Sequence, residues 1–205
     1  MPRIGVEPTR LAAPDPKSGV SANFTTWAKM RHQYITNGIF MKEAAISIIL
    51  YNKKVLLIKR RDVPVWVVPG GGIEENEAPE TAAVREAKEE TGIDIQVIRR
   101  VGIWLPINRL AAPAYVFECR PEHIPATLSA QEEASEVRFF PLDALPPTLF
   151  FLHRIWIETA LKNQPDRVYM MTELTYWRAS KLLLTHPILT IRYILSRLGL
   201  PLNDR

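Results

Sequence analysis

The stretch from Gly70 to Ile93 constrains this chain most, because it sets three consecutive glycines shortly ahead of a helix-forming segment crowded with acids. Pro79 at a first-turn position and Gly92 just past Thr91 delimit a helix over Pro79–Thr91. At 3.6 residues per turn, Glu86, Glu89 and Glu90 converge within roughly 100° of arc. Such like-charge pairs destabilise a helix by about 0.2–0.5 kcal/mol each, and Arg85, four residues before Glu89, offsets only part of that. A cation is therefore expected at this face. Clustered carboxylates are hard oxygen ligands that favour Mg²⁺, with Mn²⁺ as the alternative, over zinc. Ala83, Val84 and Ala87 form the other face, small enough to lie close on a sheet. Gly70, Gly71 and Gly72 let the backbone approach a ligand, with the Gly71 carbonyl as an additional oxygen donor.

The surrounding pattern is β-branched and apolar. Ala44–Tyr51 and Val55–Ile58 read as strands joined by a turn at Asn52-Lys53-Lys54, followed by Val65–Val68, which the Pro69 to Gly72 run breaks. Ile93–Val101, Ala114–Cys119 and Val137–Phe140 read as further strands. Leu149–Leu161 reads as a helix with Leu152, Ile155, Trp156 and Thr159 on one face. Strands interleaved with helices in this uneven order indicate an α+β or mixed α/β sandwich.

Gly71, Glu77, Arg85, Glu86, Ala87, Glu89, Glu90, Gly92 and Ile93 fall in one register. A Gly, five residues, a Glu, seven residues and then R-E-U-x-E-E-x-G-U, with U aliphatic, is the Nudix box. At average residue frequencies its fixed identities coincide by chance in about one window in 10⁸, so the chain resembles the Nudix hydrolase family. Ala87 fills an aliphatic position at the cost of volume, and Ala78 stands where similar proteins often carry Ser or Thr. The strand and turn from Ala44 to Arg60, the approach from Trp66 to Gly72, and the run Glu136 to Asp143 resemble Nudix domains too.

The resemblance implies a Nudix-type α/β/α sandwich with a mixed β-sheet over residues 41–162, followed by a helical C-terminal extension over 163–205. It implies Mg²⁺-dependent cleavage of a phosphoanhydride bond in a small nucleoside diphosphate derivative, with water attacking phosphorus in line. Gly71, Glu86, Glu89 and Glu90 would bind the metal, Arg85 would orient a carboxylate, and Glu77 would fix the geometry between loop and helix. The general base would be one of the helix carboxylates or an acid of the loop 131–136, where Glu133 is the first choice. Arg60, between Lys59 and Arg61, would meet substrate phosphates or else simply belong to an exposed basic strand end, and Gly71 and Gly72 would let substrate approach. Trp66 would stack on a base or else simply pack. The substrate's outer moiety would be read by loops such as Trp104 to Pro113. An RNA 5′-pyrophosphohydrolase and an inactive Nudix-fold nucleotide- or RNA-binding module are the competing readings.

Composition narrows the rest. Apolar residues at 47% and charged residues at 23% are ordinary for globular proteins and argue against a disordered chain. The lone cysteine, Cys119, reads as a buried apolar residue rather than a nucleophile. His32, His123, His153 and His186 sit in no ligand spacing and read as incidental surface or helix residues. With no membrane span or apolar signal core, cytoplasmic residence is expected. Residues 1–40 read as a disordered extension or a misplaced translation start, with Met30 and Met41 as other starts. Beyond Asn163, Leu174–Leu184 and Ile188–Leu198 read as basic amphipathic helices that cover the domain, pair with a second copy in a homodimer, or meet a membrane or nucleic acid.

Overall fold

The computed structural model describes residues 42–124, 128, 134–185, 187 and 191. The expected N-terminal extension, Glu133 and most of the second C-terminal helix lie outside the described residues. Strands β1 (Ala44–Tyr51) and β2 (Lys54–Arg60) form a hairpin in which Leu50 faces Val55. Its turn places Asn52 at φ 46° and Lys53 at φ 58°, left-handed values whose twist matches that of paired strands. Short β3 (Trp66–Val67) pairs with β2, and β4 (Gly70–Gly72) pairs antiparallel with β1, Ala45 opposite Gly71. After helix α1 (Pro79–Thr91), β5 (Ile95–Pro106) and β6 (Ala114–Pro121) run antiparallel, and β6 lies parallel to β1. Then β7 (Ala134–Pro141) pairs with β2, helix α2 (Phe151–Leu161) crosses the sheet, and β8 (Arg167–Met171) joins β5 in parallel before helix α3 (Tyr176–Thr185).

The resulting order is β3-β2-β1-β6-β5-β8, with β4 beside β1 and β7 beside β2. Period-two alternation builds two cores. Ala45 and Ile49 of β1 and Tyr115, Phe117 and Cys119 of β6 face Ala82, Ala83 and Ala87 of α1. Ile46, Ile48 and Val116 face the other way, onto Leu152, Trp156, Ile157 and Ala160 of α2. A mixed sheet between helices is thus the α/β/α sandwich expected. Each large apolar side chain buried this way contributes about 1.5–3 kcal/mol. Wholly buried Ser47 donates its hydroxyl to the Ala83 carbonyl at 2.9 Å, which fixes the height of α1 along β1.

Several local expectations change. The glycines 70–72 are a strand rather than a break, because pairing with β1 supplies what glycine propensity lacks. Strand β5 runs through Trp104, Leu105 and Pro106, so these residues lie in the core rather than in a reading loop. Val84 is 37% exposed, and Ala82 takes its place against the sheet. The extension after residue 162 begins with a strand, β8, followed by the helix expected near Leu174–Leu184. No helix among the described residues is long and apolar enough to cross a membrane.

Candidate active site

Helix α1 owes its position to its apolar face. Ala82, Ala83 and Ala87 are buried against the sheet, which turns Glu86 and Glu90 toward β4. Pro79 opens the helix, and Ala78 offers no side-chain cap. Gly92 closes it at φ 71°, donating its N–H to the Lys88 carbonyl at 2.8 Å, a left-handed stop suited to glycine.

Arg85 is the hub of the site. Its Nε and Nη2 each donate to Glu77 at 2.9 Å, and Nη2 also donates to the Gly72 carbonyl at 3.0 Å. Its Nη1 reaches Glu86 at 2.9 Å and Glu89 at 3.1 Å. Glu77 also accepts the Glu74 N–H at 2.9 Å. The Arg85 hydrogen bond chiefly, then the Glu74 N–H, hold the Glu77 carboxyl down at about 2, with the charges of Arg85 and Lys42 assisting. Reciprocally, Glu77 and Glu86 push the Arg85 guanidinium above its usual range. Glu90, only 9% exposed, accepts the Gly70 N–H at 2.8 Å. Gly71 has no room for a side chain, because a Cβ there would land in the Glu86 carboxyl group. One arginine thus joins helix, loop and strand, while two helix carboxylates press against the glycine strand.

Among the described residues no three acidic, histidine or cysteine side chains already converge on one point suited to a metal ion. Glu86 and Glu89 lean toward Arg85, and Glu90 toward Gly70. The donor chemistry nevertheless fits a hard divalent cation, since carboxylates and glycine backbone meet where a Cβ would otherwise stand. Such a cation would compete with Arg85 for Glu86 and Glu89, and the paired bonds to Glu77 would keep the guanidinium in place.

The other expected site residues are arranged differently. Arg60 donates Nε to Asp62 at 2.8 Å and Arg61 donates to the Ala134 carbonyl at 3.0 Å, so both guanidinium groups at the end of β2 have partners within the protein. Trp66 is 7% exposed and lies edge-on to Phe140 at 4.7 Å, so it packs in the core and offers no platform to a base. Lys59 pairs with Glu136 at 2.7 Å, which makes Glu136, at the end of the acidic loop, a structural partner with a lowered pKa. Cys119 is 1% exposed, and burial pushes its thiol up to about 12, in keeping with an inert core residue.

Two residues escape a reading of the sequence. His153 is no incidental helix histidine: its Nδ1 accepts the Val68 N–H at 2.9 Å, and its ring packs on Trp156 at 4.6 Å. Burial, with Arg60 nearby, pushes it down to about 3 and keeps it a neutral acceptor. Its neighbours Phe150 and Trp156, three residues away on either side, were the available signal. Lys42 lays its side chain across Gly72, where any Cβ would meet its Cε and Nζ, and nothing in its sequence context announces this.

Residues 41–162 match the family model described as the NUDIX domain. Over 66 residues the chain is 36% identical to a putative 8-oxo-dGTP diphosphatase of Bacillus subtilis, covering 32% of this chain and 44% of that protein. Over 115 residues it is 34% identical to an ADP-ribose pyrophosphatase of Methanocaldococcus jannaschii, covering 52% of this chain and 66% of that protein. In both cases it spans less than two thirds of the relative's length. The crystal structure of a NUDIX hydrolase from Nitrosomonas europaea superposes with a TM-score of 0.56 at 21% identity, over 64% of this chain and 78% of that one, a likeness of fold.

Proposed function

The chain belongs to the NUDIX family, and from that membership we propose that it hydrolyses a phosphoanhydride bond in a nucleoside diphosphate linked to a second moiety, using Mg²⁺. The observation that carries this reading is the Arg85 network, which ties Glu77, Glu86 and Glu89 to the glycine strand. A surface helix without chemistry to perform has no need of such an arrangement. Glu86, Glu89 and Glu90, with the Gly71 backbone, would hold the cation, and Mn²⁺ would be accepted as well. When bound, the cation would neutralise charge on the diphosphate oxygens.

The chain's own groups do the remainder. Arg85, fixed by Glu77, sets the Glu86 carboxylate, and Glu90 holds the strand at Gly70. Gly72 and the Lys42 ammonium beside it meet the anionic substrate at the sheet edge. Water adds to phosphorus in line with the bridging oxygen; the bond to that oxygen breaks, and the departing phosphate keeps the electron pair. A carboxylate takes the water's proton, and Glu133 is our candidate for it.

ADP-ribose leads the substrate panel because the ADP-ribose pyrophosphatase match runs well past the box; nucleoside triphosphates, nucleotide sugars, dinucleoside polyphosphates and 5′-triphosphorylated RNA complete it. Purified protein with Mg²⁺ or Mn²⁺ should turn over at least one member, and Glu90→Gln should lower kcat by at least about 100-fold. Nucleotide binding without release of phosphate or nucleoside monophosphate under either cation would establish a binding module instead.

A further inference from the structure

The backbone from Trp66 to Gly70, which leads into the glycine strand, is held by groups from both α1 and α2. Trp66 donates its N–H to the Thr148 carbonyl at 3.1 Å and accepts the Phe150 N–H at 2.9 Å, the start of a parallel ladder with the segment ahead of α2. Alternate residues of a strand point their backbone groups to the same side, so the next rung would run from the Val68 N–H to the Phe150 carbonyl. That carbonyl is occupied by the His153 and Arg154 N–H groups, at 3.0 and 3.2 Å, as α2 begins. The His153 side chain supplies the missing acceptor, with Nδ1 2.9 Å from the Val68 nitrogen. Val68 is 1% exposed, so without that acceptor a buried N–H would be left unpaired.

Two residues further on, the Gly70 N–H goes to Glu90 at 2.8 Å, and the Pro69 carbonyl between them accepts the Ser47 N–H at 2.8 Å. One side chain from each helix thus grips the strand, His153 of α2 and Glu90 of α1. Gly71 follows at once, the position where the Glu86 carboxyl group leaves no room for a Cβ. The height of this strand therefore decides where both carboxylates sit. To accept the Val68 N–H, the histidine needs a lone pair at Nδ1 and carries its proton on Nε2. Burial first, then the Arg60 charge, keeps the ring neutral and preserves that acceptor.

We propose that His153 is a positioning residue of the candidate site, setting from α2 the strand against which Glu86 and Glu90 are placed. Its consequence for turnover rests on the hydrolase reading; its consequence for the strand does not. Two variants separate hydrogen bonding from packing. His153→Asn keeps an acceptor bonded to Cγ, as Nδ1 is, and gives up ring contact with Trp156, now at 4.6 Å. His153→Leu keeps apolar bulk and loses the acceptor. His153→Leu should speed amide hydrogen exchange at least about tenfold at both Val68 and Gly70. It should also raise the Kd for Mn²⁺, read from the EPR signal of the free ion, and lower kcat, each at least about tenfold, with KM little changed. His153→Asn should restore all three toward wild type, whereas a packing role would reverse the order of the two variants. Ile157→Val, a truncation in the buried face of the same helix, should leave Gly70 exchange and Mn²⁺ affinity as in wild type. Faster exchange at Val68 alone, with Gly70 and Mn²⁺ binding unchanged, would overturn the proposal. So would Asn and Leu variants that behave alike, or an Ile157→Val variant that matches His153→Leu. A wild type that neither binds Mn²⁺ nor turns over any panel member would sink the hydrolase reading, and Gly70 exchange would then decide this proposal by itself.

Discussion

Arg85 donates to both oxygens of Glu77 and to one each of Glu86 and Glu89, so the site's electrostatics rest on a single side chain. Glu77 reports on it most directly. Its carboxyl is held at about 2 in the folded protein, against about 4.3 when unfolded. A depressed folded value means the stabilisation is fully present above the unfolded pKa and is lost as pH falls through about 2. Carboxyl carbon NMR should therefore place the Glu77 midpoint near 2, and Arg85→Ala should return it toward the ordinary range. An ordinary midpoint in the wild type would remove Arg85 from its organising role. Gly71→Ala is the second probe at this scale. The added methyl must displace the Glu86 carboxylate, which should cut turnover about 100-fold while the helix stays docked through Ala82, Ala83 and Ala87. Full activity in Gly71→Ala would show that Glu86 acts from elsewhere. The box residues were legible because their spacing reflects one helix and one turn. His153 was not, because whether a helix histidine faces solvent or the core depends on partners such as Val68 that lie far away in sequence; for Trp66 the sequence left packing and base stacking open, and contact with Phe140 decides for packing.

At the scale of elements, α1 carries a defect open to repair. Ala78 sits in an extended conformation at φ −73° and ψ 142°, as an N-cap should, but has no oxygen to offer the first-turn N–H groups. Ala78→Ser should add about 1 kcal/mol of stability and raise the thermal midpoint by roughly 2–4 °C with unchanged kinetics. An unchanged midpoint would mean the first turn is already satisfied by solvent. Pro79 and Gly92 made both ends of this helix readable in the sequence. The glycine strand and β8 were hidden for different reasons. Glycine carries no strand signal of its own, and Arg167-Val168-Tyr169-Met170-Met171 is a five-residue run whose identity as a strand comes from the exposed edge of β5 beside it.

For the whole molecule, the family match ends at residue 162, yet the sheet does not. Strand β8 buries Val168 and Met171, stacks Tyr169 on Trp104 at 4.5 Å, and follows Asp166, which pairs with Arg100 at 2.7 Å. Ending the chain after residue 162 should cost roughly 3–6 kcal/mol from the two buried side chains alone. Urea titration of full and shortened chains should show that loss; equal midpoints would mean β8 is an ornament to a domain already complete. The sandwich class was legible from the succession of strand and helix patterns, and its last strand was not, because the local pattern after residue 162 favours helix.

The parallel register of β1 with β6 has a consequence in time. Ala44 lies opposite Ala114, and Ile49 opposite Cys119, so the central pairing joins residues 70 apart in sequence. Helix α1 is encoded between them, without an N-terminal side-chain cap and burdened with like charges, and the floor it docks on includes Phe117. On a ribosome adding about 5–20 residues per second, the acidic helix emerges seconds before the strand that will shelter its alanine face. Pairings of such long range form slowly. The carboxylates at the centre of the candidate site are therefore assembled late in folding, after β6 has emerged.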